Sequence, residues 1–314
     1  MMEKKFLTYD QQIEKLQKEK QLTISDVPAA IHMLEHISYY SLIGGYKDLF
    51  KHKPSGKYLH GVTFEEIVAF YYFDEGLRNL FLKYILQVER HLKSLISYHF
   101  CEKFGENQTE YLNPANFNSA KKNQRAVGRL IHSMQNCISM PSHYNYITHY
   151  SRHYNNVPLW VAMNAVTFGQ LSAFYQYMPN EVQVKVSKYF PGYTEKQLHQ
   201  FITIIAKCRN VCAHGERLYD FRTYDTIPDT LLHRKLSIPL KKGSYMLGKH
   251  DLFAVVLSLK YLISNDDFKD FKCGLSKLIK QVLKQCPHIT RTQLLKEMGF
   301  PENWEKINRY KLFM

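Results

Sequence analysis

The segment Lys207 to Tyr219, KCRNVCAHGERLY, holds the most chemically suggestive set of side chains in the chain. Arg209 is followed directly by Asn210 and, after four intervening residues, by His214. An imidazole can take the proton of a ribose 2′-hydroxyl or return one to a leaving 5′-oxygen, and a fixed guanidinium can hold the charge that develops on the phosphate. Those are the parts of a metal-independent ribonuclease. One imidazole serves poorly as both base and acid, and stepping about 100° per residue along a helix points Arg209 and His214 roughly 140° apart. Two protomers sharing a cleft relieve both difficulties, so the pattern predicts a homodimer with a composite two-fold site.

The elements that must position these groups follow from periodicity. Leu198, Phe201, Ile202, Ile205, Cys208 and Cys212 fall on one apolar stripe of a helix over 195–214, and Arg209 lies near the middle of it, facing protein rather than water. A guanidinium there needs a carboxylate. The spacing of Ile67, Phe70, Leu77, Phe81, Ile85, Val88, Leu92 and Ile96 predicts a long core helix over 64–100, started by a capping box of Thr63 and Glu66. That helix offers Asp74, Arg78 and Glu89 as supporting members of the site. Asn210 and His214 share a different face, Gly215 is placed to end the helix in a left-handed turn, and His214 then sits where the helix dipole attracts positive charge.

Further helices are expected near 8–20, 27–42, 121–138, 158–177, 251–264, 267–285 and 290–298. No stretch alternates with a period of two, so the fold class is all-α, with the helical core drawn mainly from 64–100 and 158–218 and C-terminal helices over 251–314. The chain from 221 to 249, with Pro228, Pro239, Gly243 and Gly248 and the basic residues Arg222, Arg234, Lys235, Lys241, Lys242 and Lys249, reads as a long basic loop or small hairpin. Tyr154 to Asn180 lacks charge for long enough to span a bilayer, but Pro158, Asn164, Gly169, Gln170 and Ser172 dilute it, and a buried helix is expected instead.

The composition sets the partner class. With 42 Lys and Arg against 28 Asp and Glu, a net charge of +14 favours a polyanion. Lys121, Lys122, Arg125, Arg129, Arg234, Lys235, Lys241 and Lys242 are the candidate phosphate contacts, beside a further basic run of Lys51, Lys53 and Lys57. Arg125 and His132 imitate the catalytic spacing loosely, with Ala126 in place of the polar residue. Six scattered cysteines form no CxxC pair and read as reduced and cytoplasmic. Cys208, Cys212 and His214 match no common zinc spacing and leave a site short of one ligand, so no metal or cofactor is expected.

At these residues the chain resembles a known family. The run RNVCAHGERL is similar to the signature of the Abi-like (AbiD/AbiF) abortive-infection proteins, placed in the HEPN superfamily with its Arg-polar-x3-His motif. FLTYDQQIEKL, HISYYSLIGGY, TFEEIVAFYYFDEGLRNLFLKYILQVERHLKS, PLWVAMNAVTFGQLSAFY and MGFPENWEK extend the resemblance over nearly the whole chain, as a single Abi-like domain. The resemblance implies a HEPN-like helical bundle, ribonuclease activity on RNA, dimerisation, and phage defence by toxicity or growth arrest. Its motif falls on Arg209, Asn210 and His214, with Arg217 trailing. A non-coding RNA partner, found with some members, makes a non-catalytic RNA-binding protein the alternative function, and a protein-interaction or membrane-surface scaffold stands third.

Overall fold

Side-chain caps and apolar periodicity account for most of the helix boundaries. The computed structural model describes residues 5–310 apart from Ser119 and Pro191. Thr8 with Gln11, Thr63 with Glu66, Thr167 with Gln170, Thr194 with Gln197 and Thr290 with Gln293 each form a capping box, in which the threonine hydroxyl accepts the third amide of the helix and the longer side chain accepts the threonine's own amide. The protein is 65% helical, with one two-stranded hairpin, and the all-α reading holds.

The axis of the molecule is α3 (Phe64–Phe104), 41 residues and about 60 Å long. Before it come α1 (Tyr9–Glu14), which continues as a π-helical turn over Lys15–Glu19, and α2 (Val27–Ile37). After it come α4 (Gln108–Tyr111), α5 (Gln124–Ile138), α6 (Asn145–Tyr154), α7 (Leu159–Ala162), α8 (Phe168–Tyr177) and α9 (Asn180–Ser187). Then α10 (Glu195–Ala213) carries the candidate catalytic residues and packs on α3, α8, α9 and α12 (Leu252–Leu262).

The last long helix, α13 (Asn265–Gln285), runs against α3 and is followed by α14 (Arg291–Met298). The two long helices approach closely at two glycines. A β-carbon at Gly76 would come 2.9 Å from Leu278, and one at Gly274 would come 3.0 Å from Leu80. Each glycine therefore receives a leucine of the other helix, and Phe81 and Phe271 meet edge-on between them at 5.0 Å.

Some expected elements are interrupted. The helix expected over 27–42 stops at Ser38, whose φ of 62° breaks it before a π-helical turn at Tyr40–Gly44. The one expected over 158–177 is two helices, because the backbone turns at 163–166 and Thr167 caps a new start. No helix among the described residues is long and apolar enough to cross a membrane. The 221–249 segment folds as α11 (Leu231–Lys235) and a hairpin of β1 (Leu240–Lys241) and β2 (Ser244–Tyr245), in which Lys242 and Gly243 both have positive φ, as a type I′ turn requires.

Candidate active site on α10 and α3

Leu198, Phe201, Ile202, Ile205, Cys208 and Cys212 are all buried, so the apolar stripe of α10 faces the core as its spacing predicts. Arg209 lies at the edge of that stripe rather than inside it. Its side chain is 30% exposed, with a buried Nε and a guanidinium that reaches the surface. The carboxylate it meets is Glu89 of α3, whose Oε2 stands 3.8 Å from Nε. That is ion-pair range but too long for a hydrogen bond, and neither atom has a hydrogen-bond partner among the described residues. The other oxygen of Glu89 pairs with Lys93 at 2.9 Å, and Lys93 also donates to the Val166 carbonyl at 2.7 Å. The Glu89 carboxylate is therefore positioned from behind and left open toward Arg209.

His214 is the C-terminal cap of α10, its amide donating to the Asn210 carbonyl at 2.9 Å. Gly215 follows with φ of 69°, and the amide of Glu216 returns to the Val211 carbonyl at 3.1 Å, which closes the helix as expected. The imidazole of His214 and the amide of Asn210 are both exposed, one turn apart, and make no side-chain hydrogen bond among the described residues. Sequence reasoning places these two on one face, and they share it.

The residues after His214 are fastened to α3 by a different set of contacts. Asp74 accepts from the backbone amides of Leu218 at 3.1 Å and Tyr219 at 2.6 Å, from the Tyr46 hydroxyl at 2.8 Å and from Arg78 at 2.7 Å. Arg78 reaches on to the Glu216 carbonyl at 3.3 Å. Burial pushes the Asp74 carboxyl up, and the amide of Leu218, Arg78, Tyr46 and the amide of Tyr219 pull it back. Burial likewise raises the Tyr46 phenol, keeping it a neutral donor to Asp74. Asp74 and Arg78 thus hold the loop behind His214 rather than Arg209 itself. Arg217, the trailing residue of the motif, donates to the Gly45 carbonyl at 2.7 Å and pairs with Asp220 at 3.1 Å, which ties it into the same fastening.

Sequence reasoning did not single out Tyr46, Lys93 or the carbonyl of Gly45. The Glu89/Lys93 spacing of four is a usable signal for one of them. For the other two the only hint is their place in the HISYYSLIGGY run.

All eight proposed phosphate contacts are exposed: Lys121, Lys122, Arg125, Arg129, Arg234, Lys235, Lys241 and Lys242. None of them forms an ion pair among the described residues. Two further basic residues of the 221–249 segment are committed to structure instead. Lys249 is buried against Asp229 at 2.6 Å, and Arg222 donates to the carbonyls of Phe221 and Glu297. Burial and the adjacent Cys212 push the Cys208 thiol well up.

The sequence model of the family described as Abi-like protein matches residues 32–220, which run from within α2 to the end of the Asp74-bound loop. The chain belongs to the Abi-like family. The matched part of this Abi-like protein contains α3, α10, the Arg209–Glu89 pair and the exposed Asn210 and His214. The family's name refers to abortive infection, a phage-defence response. No curated protein and no solved structure matches the chain.

Proposed function

We propose that this Abi-like protein is a metal-independent RNA endonuclease acting in phage defence. The observation that carries the reading is the state of the three motif side chains: an exposed His214 whose imidazole makes no hydrogen bond among the described residues, an exposed Asn210 one turn before it, and a part-exposed Arg209 steadied by Glu89. In the proposed reaction a 2′-hydroxyl attacks the adjacent phosphorus and the bond to the 5′-oxygen breaks, leaving a 2′,3′-cyclic phosphate and a 5′-hydroxyl. His214 moves the proton, Arg209 holds the phosphate oxygens, and Asn210 orients the strand. Because Arg209 and His214 leave the helix roughly 140° apart, a second protomer supplies the complementary imidazole across the cleft. RNA is the substrate because DNA lacks the attacking hydroxyl.

The test is to incubate wild type and His214→Ala with total cellular RNA in EDTA and to map the ends. Cyclic-phosphate ends from wild type alone support the reading, and sedimentation of the active species as a monomer would overturn the composite site. The eight exposed cations, unpaired among the described residues, favour a second reading, a non-catalytic protein that holds a structured non-coding RNA. Tight, salt-dependent RNA binding that survives His214→Ala, with no cut ends from wild type, selects it.

A further inference from the structure

On the side of α3 turned away from Glu89, the helix contributes Gln87 and His91 to a cleft of about 600 Å³. Gln87 and His91 are four residues apart and so share a face, while Glu89 lies two residues from each and points about 200° away. The cleft is closed by Tyr189 and Phe190 after α9, by the end of α12 at Lys260, and by the start of α13 at Asn265 and Asp267. Its volume is in the range of small-ligand sites.

Lys260 is the unusual group there. It is the one charged residue of α12, LFAVVLSLKYL, and only 6% exposed, yet no carboxylate pairs with it among the described residues. Its ammonium donates to Asn265 Oδ1 at 2.9 Å and lies 4.9 Å from the centre of the Phe268 ring. Burial, helped by the charge of Lys269, pushes its pKa down. A buried cation with a single neutral oxygen partner is costly unless an anion completes it. The remaining walls suit the rest of one molecule. Tyr189 is half-exposed and offers a ring face, the Phe190 ring lies 5.4 Å from that of His91, and Gln87 Oε1 has no partner among the described residues. Asp267, held by the Ser264 hydroxyl at 2.6 Å, adds an acceptor for a ligand N–H or O–H.

We propose that this cleft binds a nucleoside monophosphate, with the phosphate on Lys260 and His91 and the base stacked on Tyr189. The site is separate from the one on α10 and does not depend on the ribonuclease reading.

Calorimetric titration of the full chain with AMP, GMP, CMP, UMP, adenosine and inorganic phosphate tests it. Saturable one-to-one binding of at least one mononucleotide is expected, with adenosine and phosphate weaker. Lys260→Met, which keeps the packing and removes the charge, lowers that affinity about ten- to a hundredfold, the effect of losing one charge-assisted hydrogen bond. If Lys260→Met does not fold, His91→Gln at the cleft wall reports the same loss. Tyr189→Ala weakens the nucleotide by about fivefold or more and leaves phosphate unchanged. Arg209→Ala leaves nucleotide affinity unaltered. The proposal is overturned by no saturable mononucleotide binding, by phosphate binding as tightly as the nucleotides, by unchanged affinity in the Lys260 and His91 variants, or by loss of binding in Arg209→Ala.

Discussion

Two arginine–carboxylate pairs fasten α3, one to α10 and one to the loop that follows it, and they are built differently. Arg78 and Asp74 meet at 2.7 Å, are both buried, and share their remaining valences with Tyr46, two backbone amides and a carbonyl. Arg209 and Glu89 meet at 3.8 Å with an unsatisfied atom on each side, and the guanidinium reaches solvent. The histidines repeat the contrast. His233 is fully buried, its Nδ1 accepting the amide of Thr230 at 3.1 Å and its Nε2 donating to the Gly248 carbonyl at 2.8 Å, which fixes a neutral tautomer. His214 is exposed with no such fastening among the described residues. A closed network stabilises the fold and has nothing left to offer a ligand, whereas an open pair stabilises little and keeps its donors for one.

That difference can be broken by substitution. Asp74→Ala strands Arg78 and the amides of Leu218 and Tyr219, and is expected to cost about 3–5 kcal/mol in urea unfolding. A cost near zero would make the closed network ornamental. His233 gives an effect that depends on acidity. Burial holds its folded-state pKa below the ordinary histidine value, so as pH falls below about 6.5 the unfolded chain takes up a proton that the folded chain refuses. Stability then falls with decreasing pH by at most about 1.4 kcal/mol per unit for this one proton, until the folded pKa is reached. His233→Gln should flatten that slope between about pH 7 and 5.5.

Gly215→Ala, which forces a β-carbon into the left-handed region with no steric neighbour, is expected to cost about 1 kcal/mol. Arg209→Ala should change the free energy of urea unfolding least, by about 0.5 kcal/mol or less, while the proposed RNA cleavage drops by about a hundredfold or more. A large loss of stability in Arg209→Ala would assign it to structure and erase the contrast with Arg78.

Much of this architecture was legible in local sequence. The apolar stripe of α10, the Thr63/Glu66 box and the Gly215 stop all depend on residues within four positions of one another, and each stands where its spacing puts it. The Thr167/Gln170 box is a signal of the same kind, and it is what divides the stretch 158–177. Two short helices, α6 and α9, lie outside the expected set. Among their residues α6 buries Ile147, with Tyr146 and Tyr150 packed against the core, and α9 buries Val182, Val186 and Ser187.

The sequence by itself determined the long helices, their capped starts, and the sharing of one face by Asn210 and His214. Helix hydrogen bonds and caps are short-range, and the residues that make them are adjacent in the chain. Only the tertiary structure decided which carboxylate of α3 serves Arg209. Asp74 and Glu89 are equally acidic on paper and both lie on the buried side of one helix. The choice is made by contacts across 144 and 145 residues, where the amides of Leu218 and Tyr219 occupy Asp74 and leave Glu89 to the arginine.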